Sequence, residues 1–165
     1  MVVNQNTFSV ALLGDAGVGK TVYLEKIMGN AFQPAYIPTV GIEVHHFKTL
    51  FPEHGEVEFL IMEYSGQEKY SLVHDQQSGS HIGAYDCAII MYDNTSLRSC
   101  KNVGLWEREI KRIWGEDIPV IVIRNKTDIG DGHAYQGPLE CLGVSTKLHM
   151  GLLFPFIRLA DMLNS

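Results

Sequence analysis

The eight residues GDAGVGKT, at positions 14–21, have the types and spacing to hold a row of phosphates. They fit G-x-x-x-x-G-K-[ST], between an apolar run and a helical pattern, the context that makes this motif credible. Glycines let backbone N–H groups turn inward around phosphate oxygens, and the helix adds the positive end of its dipole. Lys20 would neutralise the β- and γ-phosphates, and the Thr21 hydroxyl would ligate Mg²⁺. The plainer alternative, a glycine-rich turn that holds nothing, does not account for so complete a motif in this place.

A second motif reads a base. In NKTD, at 125–128, the Asp128 carboxylate can accept hydrogen bonds from N1–H and N2–H₂ of guanine. Adenine offers no such donor pair and would leave a buried carboxylate unpaired. The alkyl stem of Lys126 can cover the base face. In GVSTK, at 143–147, the backbone N–H of Thr146 can reach guanine O6. Alone, NKTD is a polar turn; after a strand, and in a chain with a complete phosphate loop, it is a base reader. Phe32, in a loop after the first helical pattern, can stack on the base or be buried under its own loop.

Positioning these groups requires strands and helices in alternation. Apolar or β-branched runs at 8–13, 87–92 and 120–123 read as buried strands. Residues 43–50 and 57–62 read as two strands joined by the hairpin turn PEHGE. Helical patterns cover 21–29, where a glycine stops the run, 99–115 and 152–163. Pro155 suits a first turn, where a missing N–H costs little. The expectation is a doubly wound α/β domain spanning 1–165, with about six mostly parallel strands and one antiparallel hairpin.

Composition agrees with a globular chain: 165 residues, 45% hydrophobic and 19% charged. The net charge of −6 argues against direct nucleic-acid binding, which uses a basic surface. Cys87, Cys100 and Cys141 are odd in number and have no metal-ligand spacing, so reduced thiols in an intracellular setting are expected. His45 and His46 are adjacent and face opposite sides of a strand, which speaks against a metal cluster between them. No secretory leader, membrane span or lipidation signal is legible, so no lipid anchor is expected.

Taken together, the phosphate loop, Thr39 in PTVGIEV, SGQE at 65–68, NKTD and STK resemble the Ras superfamily of small GTPases in one register. Within it the sequence is most similar to Ran, through GIEVH, GQEKY, CAIIMYDNTS, CKNVGLWERE and PFIRLADML. The resemblance implies a P-loop G domain that binds GTP and GDP with Mg²⁺ and hydrolyses GTP slowly. It implies nucleotide contacts from Ala16, Gly17, Val18, Gly19, Lys20, Thr21, Val22, Phe32, Thr39, Gly66, Asn125, Lys126, Asp128, Ser145, Thr146 and Lys147. Thr21, Thr39 and Glu63 would serve the metal, and Gln67 would orient the attacking water. Implied partners are protein effectors and regulators, including transport receptors of the Ran type, in the nucleus or cytoplasm.

Departures from the family pattern bear on chemistry. Glu63 stands where D-x-x-G begins with Asp, Ala16 replaces a phosphate-loop glycine, and Arg124 replaces a small residue before NKTD. Only sixteen residues separate Asp128 from Ser145, too few for a loop, a strand and a three-turn helix. The helix usual there is expected to be absent or minimal. Three readings remain: a GTPase switch weakened by Glu63 and Ala16, a guanine-nucleotide binding module without hydrolysis, and an ATP-using P-loop enzyme. NKTD weighs against the third.

Overall fold

Strands buried on both faces read as continuous apolar runs, and those runs form the middle of a sheet. A computed structural model describes residues 6–37, 41–64 and 85–165. β1 (Asn6–Leu13) pairs in parallel with both β4 (Gly55–Tyr64) and β5 (Cys87–Asp93). β5 pairs with β6 (Val120–Asn125), and β6 with β7 (Glu140–Gly143), again in parallel. On the other side β3 (Ile42–Phe51) forms the expected antiparallel hairpin with β4. The three-residue β2 (Ala35–Ile37) adds to the edge of β3, so among the described residues the sheet has seven strands, close to the expected six, in the order β2-β3-β4-β1-β5-β6-β7.

Alternation along β1 divides the core into two layers. Val10 and Leu12 face α1 (Lys20–Met28) and α3 (Phe154–Leu163), packing with Leu24, Phe59 and Phe156. Ala11 and Leu13 face α2 (Leu97–Trp114), packing with Val103, Trp106 and Ile110. Ser96 caps α2 by accepting a hydrogen bond from the Ser99 N–H at 3.1 Å, satisfying one free N–H of the first turn. The helix therefore begins two residues before the expected start at 99. Pro155 does sit in the first turn of α3. Among the described residues no helix is long and apolar enough to cross a membrane.

Between Asp128 and β7 there is no helix, as the residue count required. Side chains take the place of helical hydrogen bonds. Arg124 donates to the Asp131 carbonyl at 2.6 Å and to Asn94 Oδ1 at 2.5 Å. Asn94 Nδ2 donates to the Ile129 carbonyl at 3.3 Å, and the Tyr92 hydroxyl to the His133 carbonyl at 2.7 Å. Arg124 thus has a structural reason: it ties down a segment whose backbone has no helical partners.

Candidate functional site

The phosphate loop follows β1 and runs directly into α1. Gly14 lies so close to β5 that a Cβ would fall 2.2 Å from the Met91 carbonyl oxygen. Gly19 has φ +99°, and a Cβ there would sit 2.5 Å from Asn125 Nδ2. Lys20 is buried, and its Nζ donates to the carbonyls of Gly14 (2.7 Å) and Asp15 (3.0 Å), which holds the charge over the loop. Asp15 was not singled out from the sequence. Its carboxylate accepts from Asn102 Nδ2 at 2.6 Å and Trp106 Nε1 at 3.0 Å, fastening the loop to α2. No local motif signals this contact, because its partners lie far along the chain.

The loop faces a cavity of about 700 Å³. Ala16, Gly17, Gly19, Lys20, Thr21 and Val22 line one side, and Asn125, Lys126, Asp128, Thr146 and Lys147 the other. The two motifs therefore line one cavity. Asn125, the last residue of β6, joins them: its Nδ2 donates to the Val18 carbonyl at 3.0 Å, and its Oδ1 accepts from the Thr146 hydroxyl at 3.0 Å. The buried Ser145 hydroxyl donates to Asp128 Oδ1 at 2.7 Å. Lys126 has φ +63°, and its Nζ donates to Asp93 Oδ2 at 2.7 Å. Burial pushes the Asp93 carboxyl up, but hydrogen bonds from Lys126 and Thr95 outweigh it and hold the group below its ordinary value.

Glu63 lies near the end of β4, 4% exposed, and it too lines the cavity. Its Oε1 accepts from the Thr21 hydroxyl. Its Oε2 lies 2.9 Å from Nε2 of the fully buried His45. His45 and His46 do face opposite ways, one buried and one exposed. The residues sharing the face of His45 are Glu43, two positions earlier, and Glu63, paired with Glu43 across the hairpin. The E-x-H spacing was the available signal.

Phe32 is not among the residues that line the cavity. Its ring stacks on His45, with centroids 5.2 Å apart and planes at 26°, and it packs against the core. Thr39, Gly66 and Gln67 lie outside the described residues.

A mostly parallel sheet with a glycine-rich loop between β1 and α1, facing the NKTD loop after β6 across one cavity, defines a P-loop nucleotide-binding domain. The model of the Ras family matches residues 9–143, and the chain belongs to that family. It is a small GTPase in the general sense: a GTP-binding switch protein of a family that uses Mg²⁺ with guanine nucleotides.

Proposed function

We propose that residues 1–165 form a single G domain that selects guanine nucleotides, behaves as a Ran-like switch and hydrolyses GTP slowly. The observation that carries this reading is the position of Asp128, beside Thr146 and Lys147 on the cavity wall and held by Ser145. A carboxylate fixed there matches guanine N1–H and N2–H₂ and is left unpaired by adenine. Lys126 would cover the base and Lys20 would meet the phosphates. Gly66 and Gln67 keep the residue types for γ-phosphate contact and water orientation.

The metal end fits Mg²⁺ by donor type. The Thr21 hydroxyl and the Glu63 carboxylate are hard oxygen donors already in contact. Bound there with Thr39, Mg²⁺ supplies positive charge against the phosphate oxygens. The longer Glu63 side chain is shared with His45, which favours weaker Mg²⁺ dependence than an Asp would give. Ala16 adds a methyl where Gln67 and an incoming arginine must pack, so activator-stimulated hydrolysis should suffer more than intrinsic hydrolysis. Regulators and effectors of the small-GTPase kind are the partners this reading implies, Ran-type transport receptors among them.

The test is to denature the purified protein, identify the released base, and titrate GDP, GTP and ATP. Guanine nucleotides in the released fraction, with ATP ~10³-fold weaker or more, are expected. Comparable ATP and GTP affinities would sink the assignment. The engagement of Glu63 by His45 also supports a second reading, a binding module without hydrolysis. Single-turnover hydrolysis no faster than buffer would favour it.

A further inference from the structure

The β3–β4 hairpin places two acids directly opposite each other, Glu43 and Glu63, where like charges are destabilising. Both line the cavity, and Glu63 is buried while the Glu43 side chain is 35% exposed. His45 shares their face and is fully buried. Its Nε2 lies 2.9 Å from Glu63 Oε2 and 3.7 Å from Glu43 Oε2. One donor atom from each of the three residues lies within 4.8 Å of the other two. Glu43 Oε2 is itself buried without a hydrogen-bond partner. A buried carboxylate oxygen without a hydrogen bond, facing a second carboxylate and an imidazole nitrogen, is an arrangement that a cation completes.

We propose that Glu43, His45 and Glu63 form a second divalent-cation site, with one nitrogen and two oxygen donors, that takes a first-row transition ion such as Zn²⁺ or Mn²⁺. Metal–ligand bonds of ~2.0–2.2 Å put tetrahedral donors roughly 3.2–3.6 Å apart, and the two observed separations bracket that span. The imidazole nitrogen suits transition ions, whereas Mg²⁺ takes oxygen ligands. Glu63 can serve both sites because its two oxygens face different ways, Oε1 toward Thr21 and Oε2 toward His45. Asp at this position is shorter by ~1.5 Å and would not span both. Phe32, stacked on the imidazole, walls the site on one side. His45 Nδ1 has no hydrogen-bond partner to fix the ring's tautomer, so affinity should be micromolar and not the far tighter binding of structural zinc sites. The ion would tie β3 to β4 beside the phosphate end of the cavity.

The site depends on the hairpin and not on the base reader, so it can be tested apart from the guanine assignment. The full chain, with its nucleotide content measured, is titrated with Mn²⁺ and studied by pulsed electron paramagnetic resonance. The expected result is ¹⁴N coupling from an imidazole ligand, lost in His45→Gln and weakened at least tenfold in Mn²⁺ affinity in Glu43→Gln, with Zn²⁺ displacing the coupled Mn²⁺. The half-exposed Glu43 variant keeps the test decisive if His45→Gln does not fold. Mn²⁺ bound without nitrogen coupling would overturn the site. Coupling that survives both variants unchanged would overturn it too. Guanine nucleotide bound without nitrogen coupling refutes the site alone; nitrogen coupling with comparable ATP and GTP affinities refutes the base assignment alone.

Discussion

The proposed base side and the proposed metal side of the cavity are built on opposite principles. At the base side the polar side chains are held in place: Asn125 by the Val18 carbonyl and the Thr146 hydroxyl, Asp128 by Ser145, Lys126 by Asp93. At the metal side two carboxylates face each other, one with an unpaired oxygen, and Thr21 and His45 share Glu63 between them. A satisfied network is preorganised and selects a ligand by shape and hydrogen bonding. An unbalanced cluster draws in a counter-charge and changes with what it binds. Specificity for the base should therefore be stiff, and metal dependence open to adjustment by single residues.

The largest expected effect breaks the stiff side. Asp128→Asn removes the acceptor for N1–H and N2–H₂, so guanine affinity should fall by ~10³-fold or more. Xanthine nucleotides, which present the matching acceptor, should bind better than to the native chain. Competition titrations with GDP and XDP measure both. Unchanged guanine preference would mean that the carboxylate held by Ser145 does not read the base.

A smaller effect is expected at the adjustable side. Glu63→Asp withdraws the carboxylate from His45 and leaves it to Thr21 and the phosphate end. GTP binding should then show about tenfold tighter Mg²⁺ dependence, the usual scale for altering support around a metal. Single-turnover hydrolysis should rise with it. If neither changes, Glu63 is a neutral replacement and the contrast between the two sides loses its functional meaning.

Legibility from sequence follows the same division. The phosphate loop, NKTD and STK are contiguous motifs, so their meeting in one cavity could be foreseen from order and spacing alone. The missing helix could be foreseen because it was an argument about length. Two kinds of feature were not legible. The Glu43–Glu63 pairing depends on hairpin register, and a slip of one residue would have turned Glu43 to the other face. The Asp15 contacts with Asn102 and Trp106 depend on how α2 packs over the loop. Phe32 illustrates a third limit: an aromatic in a loop is equally suited to a base or to a buried imidazole, and tertiary packing chose His45.

Arg124 tests whether the stiffness of the base side extends into the helix-free segment behind it. Arg124→Ala removes the hydrogen bonds to Asp131 and Asn94 and leaves their acceptors with fewer donors. The half-buried site and the charge-assisted bonds suggest a loss of about 1–2 kcal/mol. Thermal unfolding should shift down by roughly 2–4 °C per kcal/mol at this chain length. Guanine preference should persist, because Asp128 keeps Ser145. A loss of base selectivity as large as that of Asp128→Asn would show that the segment, and not the Ser145 contact, sets the reader.

The smallest effect concerns protonation of Asp93, which anchors Lys126. Its folded-state carboxyl lies below the ordinary value, because the bonds from Lys126 and Thr95 outweigh the opposing effect of burial. A depressed carboxyl contributes stability that is fully present above its unfolded value of about 3.9 and is lost as pH falls through the lower folded value. The stability difference between the native chain and Asp93→Asn should therefore be constant from about pH 5 to pH 8. It should be about 1 kcal/mol, a hydrogen bond between charged partners reduced by solvent screening at the part-exposed Lys126. It should shrink only below about pH 4, as the native carboxylate takes up its proton. Denaturant titrations of both chains across that range measure it. A difference that grows toward acid would reverse the sign and show that the ionised carboxylate is not what holds Lys126 at the base side.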